Sequence, residues 1–175
     1  PLLPCPVAVA LSAALALAPA AARSADEPPP ALPAGWPATV PAPSNYLVPA
    51  LEVVGINLGI WGFNKIVGKE FAQISWQSIE DNFHKGWIVD TDDFWANQFL
   101  HPYHGSLTFN AARSMGLGFY ESFGYSFAGS LMWEQFMEVQ PPSMNDQVNT
   151  PFGGALLGEV LWRMHRLVLD SGGDR

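Results

Sequence analysis

Apolar residues recur at three- and four-residue spacing through most of the chain between Ser44 and Leu169, and no stretch keeps a period-two alternation. The pattern therefore predicts helices and no sheet. The first runs through LVPALEVVGINLGIWGFNKIVG, capped by Ser44 or Asn45, with Gly68 near its end. Its apolar stretch from Leu47 to Phe63 contains Glu52 and Asn57, which are costly in lipid, so a buried helix is expected over a membrane span. Gly55 and Gly59, with Gly62 near the same face, have the small-residue spacing that lets a second helix approach.

A short amphipathic helix, SWQSIEDNFHK, opens at Ser75 and ends before Gly86. Asp90, Asp92 and Asp93 follow. They lack the glycine and the terminal glutamate of a calcium loop, and are expected to cap the helix that begins at FWANQF. From Ser106 to Val139 the pattern is helical again, with breaks around Gly116, Gly118 and Gly124. In its last part Ser130, Glu134 and Glu138 are spaced i, i+4, i+8 and form one polar stripe. Pro141-Pro142 stops this run. Ser143-Met-Asn-Asp146 has the form of a capping box and opens a final helix that Thr150-Pro151 would restart or kink. Gly154 and Gly158 repeat the close-packing spacing, and Glu159 and Arg163 can pair at i, i+4. The expected fold is an all-α, glycine-rich bundle of about four or five helices spanning 44–170.

The ends of the chain read differently. Residues 1–25 hold an Ala/Leu/Val run and then small residues, as in an export signal that lacks its own start. Ala20-Ala21-Ala22 and Ala22-Arg23-Ser24 both offer cleavage sites, and Cys5, the single cysteine, would leave with the signal. Residues 26–43 carry closely spaced prolines and are expected to be an extended tether. Residues 171–175 form a short polar tail that suggests truncation before a further domain.

Composition narrows the function. Lys+Arg is 8 and Asp+Glu is 16, giving a formal charge of −8 that repels phosphate backbones, so nucleic acid is not an expected partner. Only 14% of residues are charged against 49% hydrophobic, and the mean hydropathy is +0.11, which excludes a chain disordered throughout. One cysteine excludes both a disulfide framework and a cysteine-rich zinc site.

Ordered blocks between Ser75 and Arg163 carry a resemblance. They are Asp92-Asp93-Phe94, Asn97-Gln98, His101-Pro-Tyr-His-Gly105, Phe109-Asn-Ala-Ala-Arg-Ser114 and Gly129-Ser-Leu-Met-Trp-Glu134. Glu138, Pro141-Pro-Ser-Met-Asn-Asp146, Gly153-Gly154, Gly158-Glu159 and Arg163 complete them. The series resembles a bacterial family known as domain of unknown function 3943, whose longer members look to continue into an outer-membrane barrel. More distantly, the order His, Glu, Ser-x-x-Asp and glycine-rich helix is similar to VanZ-like envelope proteins. The resemblance implies an exported protein of the periplasm or outer membrane, with a membrane or a barrel segment as partner, and implies no chemistry.

The residues that need partners are His101, His104, Arg113, Ser130, Glu134, Glu138, Asp146 and Glu159, each polar or ionisable in an apolar setting. The plainer expectation is a buried ionic network, joined by Asp93, Asn97 and Arg163, in which the arginines neutralise the glutamates and no cofactor is required. The alternative is a divalent metal held by His101, His104, Glu134 and Glu138, serving a hydrolase that acts on envelope lipid or peptidoglycan. Catalysis by Ser130 with a histidine base is a third idea. Its surroundings, Ala-Gly-Ser-Leu-Met, lack the strand and glycines of a nucleophile elbow.

Overall fold

The computed structural model describes residues 45–172. The expected export signal (1–25) and tether (26–43) lie outside these residues. The described chain is all-α, in the order α1 (Leu47–Ile66), α2 (Trp76–His84), α3 (His101–Ser114), α4 (Phe119–Phe136) and α5 (Met144–Gly172). A 3-10 turn at Glu70–Ala72 follows α1, and a π-helical turn at Ala96–Leu100 leads directly into α3. Among the described residues there is no strand; one parallel bridge joins Ile88 to Ser143.

Local chemistry sets most helix ends. Asn45 Oδ1 accepts from the amides of Leu47 and Val48 at the start of α1. Ser75 caps α2 in a capping box with Ser78. Gly68, Gly86 and Gly116 take positive φ where α1, α2 and α3 end, a conformation that side chains resist. Two expectations change. Gly124 does not interrupt α4, and Pro151 sits inside an unbroken α5 that runs on to Gly172, into the expected tail. Residues His101 to Gly105 are helical, and Pro102 falls at the junction where the π-helical turn passes into α3.

α3 is the central helix and packs on α5, α4 and α1. Its crossing with α5 is backbone on backbone. A methyl group at Gly105 would overlap the Thr150 carbonyl, and one at Gly154 would overlap the Gly105 backbone. Phe109 lies against Gly158 one turn farther along. Small hydroxyls fill the α3–α4 seam: Thr108 donates to Ser126 at 3.2 Å, and Ser126 donates to the Gly105 carbonyl at 2.9 Å. α1 is held by Asn57, which is fully buried. Its Nδ2 donates to the Gly129 carbonyl at 2.8 Å and its Oδ1 faces His104 Nε2 at 2.7 Å.

The expectation of a buried first helix is corrected. Only Pro49, Val53 and Asn57 of α1 are buried, and Leu47, Leu51, Val54 and Leu58 form an exposed apolar row. Nothing packs against Gly55, Gly59 or Gly62. α5 carries a longer exposed row at Val148, Phe152, Leu156, Val160, Met164 and Val168. The interior is small and polar while the outer helix faces are large and apolar.

Candidate functional site

The site is built where the loop after α2 meets the starts of α3 and α5. Pro142 ends the preceding segment, and its carbonyl accepts from Ile88 N at 2.9 Å while Met144 N donates to the Ile88 carbonyl at 2.7 Å. This bridge fixes the loop beside the first turn of α5, which Ser143 Oγ caps by accepting from Asp146 N. Asn145 then pins the acidic residues. Its Oδ1 accepts from Asp90 N at 3.0 Å, and its Nδ2 donates to Asp90 Oδ1 at 2.6 Å and to Asn97 Oδ1 at 3.1 Å. Asn149 donates to the same Asn97 oxygen.

Of the three aspartates expected to cap a helix, Asp93 does so, accepting from Ala96 N at 2.8 Å. Asp90 and Asp92 instead turn toward the start of α5. There His101 Nε2 lies 3.4 Å from Asp146 Oδ1 and 4.0 Å from Asp92 Oδ2. One donor atom from each of Asp92, His101 and Asp146 falls within 4.8 Å of the other two. Asp146 is buried at 4% side-chain exposure and Asp92 is open at 56%, so the group has a dry floor and a wet mouth.

The electrostatics follow from crowding acids with few cations. Burial, then a hydrogen bond with Asp90, pushes the Asp146 carboxyl up to about 8. Asp90 stays below the ordinary range. Its burial acts upward, but hydrogen bonds with Asp146, Asn145 and Ser143 outweigh it. Burial and then the neighbouring Glu138 charge raise Glu134 to about 9. Glu138 rises to about 7, chiefly through burial. Burial lowers His101, against the attraction of Asp92 and Asp90, and leaves its ring neutral near neutral pH.

The other expected residues are placed as follows. Glu134 Oε2 accepts from Ser143 N at 2.8 Å, and Glu138 Oε1 accepts from Trp133 Nε1. Glu138 lies past the end of α4, so the polar stripe of Ser130, Glu134 and Glu138 does not continue on one helix. His104 belongs to the α1 junction, edge-on to Trp133 and bonded to Asn57; burial holds it down at about 4. Ser130 is buried with its hydroxyl unbonded, and no histidine reaches it. The arginines do not neutralise Glu134 or Glu138. Arg113 and Arg163 both pair with Glu159, at 2.8 and 2.9 Å. Thus His101 and Asp146 meet as candidates, while His104, Glu134 and Glu138 have other bonding partners. Sequence reasoning assigned Asp90 and Asp92 to helix capping and gave Asn145 no role of its own; the one available signal was the excess of aspartates beyond the single residue a cap needs.

The chain belongs to the family described as Domain of unknown function (DUF3943), whose profile matches residues 86–175. The matched stretch takes in every residue of the acidic cluster, together with α3, α4 and α5. No curated protein and no solved structure matches the chain.

Proposed function

We propose that this domain is a membrane-associated helical module of the bacterial cell envelope, contacting lipid through the outer faces of α1 and α5. The observation that carries the reading is the inverted distribution of polarity. Leu51 is 61% exposed and Leu156 is 70% exposed, whereas Asn57, Ser106, Ser122 and Ser126 are fully buried. In water this arrangement leaves large apolar areas wet, and contiguous apolar surface on a soluble monomer is normally small. Against acyl chains the same arrangement is the stable one, because helices there associate through small residues and internal hydrogen bonds. α1 is also long and apolar enough to cross a bilayer, and only 17% of it is buried within the bundle.

The expected contact is apolar and not electrostatic, since the chain carries a formal charge of −8. Flotation of the full chain with phosphatidylcholine vesicles tests this. The protein is expected to rise with the vesicles, at least as well on zwitterionic as on anionic lipid. Leu51→Glu and Leu156→Glu together are expected to move it to the bottom fraction while helical circular dichroism is retained. Wild-type protein that stays at the bottom as a monomer would overturn the reading.

A further inference from the structure

We infer that Asp92, His101 and Asp146 form a binding site for one divalent transition-metal ion of the zinc or manganese class. The site is independent of the membrane reading, because it lies in the loop and helix starts and not on the apolar rows.

The geometry is the first argument. Two ligand atoms bound at ~2.0–2.1 Å to a tetrahedral centre stand ~3.3 Å apart. His101 Nε2 and Asp146 Oδ1 are 3.4 Å apart, and Asp92 Oδ2 is 4.0 Å from the same nitrogen. All three ligand atoms lie within 4.8 Å of one another, and Asp92, half-exposed on a loop, is the one that moves inward, by up to ~1.5 Å, to complete the site without disturbing a helix.

The second argument comes from His101. Its side chain is only 14% exposed, and the partners of Nε2 are two carboxylates, Asp146 at 3.4 Å and Asp92 at 4.0 Å. A buried imidazole normally has a bonded partner. Nε2 and the two carboxylate oxygens converge on one point, which a shared proton or a cation can occupy.

Charge is the third. Asp92 and Asp146 converge on His101 beside Asp90, while the ion pairs of Arg113 and Arg163 go to Glu159 and that of Lys85 goes to Asp81. A divalent ion held by two aspartates and a neutral imidazole leaves the site with no net charge and relieves the neighbouring acids. Asn145 supplies the outer support, holding Asp90 and Asp146 in place as outer partners hold metal ligands elsewhere. The nitrogen donor favours zinc or manganese over calcium, which takes oxygen ligands.

Isothermal titration calorimetry on the full chain in detergent micelles, stripped with chelator, tests the site with Zn²⁺ and with Mn²⁺. One equivalent of at least one ion is expected to bind with a Kd in the low micromolar range or tighter. Asp92→Asn, Asp146→Asn and His101→Ala are each expected to weaken binding tenfold or more. Asp92→Asn is the decisive variant, since its exposed side chain is not part of the packing. Co²⁺ absorption in the visible gives a second readout, with a d–d band expected in wild type and lost on His101→Ala. Absence of saturable binding, or binding unchanged in Asp92→Asn and His101→Ala, would overturn the proposal.

Discussion

Arg113 donates from Nε to Glu159 Oε2 across 2.8 Å, in a pair whose side chains are 9% and 14% exposed. The guanidinium also donates to the Leu117 carbonyl and stacks over the Trp162 ring at 3.8 Å. α3, its terminal turn and α5 are thereby tied by one side chain. The same commitment removes this cation from the acidic cluster and leaves the cluster to other means of neutralisation.

Replacing Arg113 by Met is expected to destabilise the fold by about 2 kcal/mol, because it removes the buried partner of Glu159 and leaves only the exposed Arg163. Replacing Arg163, whose side chain is 59% exposed, by Met is expected to cost under ~1 kcal/mol. Denaturant unfolding of both variants in the same detergent checks the contrast; equal losses would contradict it.

Glycines on the two sides of the bundle should respond in opposite directions. Gly105→Ala pushes a methyl into the Thr150 carbonyl, which is backbone and cannot swing away, so a loss of about 3 kcal/mol is expected. At Gly55 and Gly59 nothing lies within 4 Å, and alanine there should stabilise α1 by about 0.5–1 kcal/mol. Thermal unfolding of the single variants measures both signs.

The helix ends could be read without coordinates. Ser75, Gly86 and Ser143 act on amides or φ angles within four residues, so their roles are visible in a short window of sequence. The Arg163–Glu159 pair was likewise visible at its i, i+4 spacing. The Arg113–Glu159 pair joins positions 46 apart and depends on the Gly105–Gly154 crossing, which spacing alone does not align. α1 was misread because an apolar helix looks the same whether protein or lipid covers it. Asp92 was misread because capping is a local explanation that satisfies three aspartates equally well. The Ile88–Ser143 bridge and the Asn145–Asp90 bonds, which bring their loop to α5, separate their roles.

Two buried groups give stability opposite dependences on pH. Glu134 has a folded value of about 9 against an ordinary 4.5, so its contribution is complete below ~4.5 and is lost as pH rises toward 9. His104 is depressed from 6.5 to about 4, so its contribution is complete above ~6.5 and is lost as pH falls toward 4. Glu138 and Asp146, raised to about 7 and about 8, add to the alkaline loss, so unfolding midpoints measured across pH 4 to 9 are expected to be highest near ~4.5 and to fall as pH rises. Glu134→Gln is expected to flatten the alkaline limb and leave the acid limb in place; an unchanged alkaline limb would remove Glu134 from the account.

Lipid contact along α5 can be read at a single position. In a Cys5→Ser background, which removes the chain's one cysteine, an environment-sensitive fluorophore is attached at Leu156→Cys or at Glu80→Cys on α2. On addition of phosphatidylcholine vesicles, emission from position 156 is predicted to shift to the blue and to be quenched by brominated lipid, with little change at position 80. Emission at position 156 that ignores lipid, or shifts only on self-association without it, would contradict a membrane-facing α5.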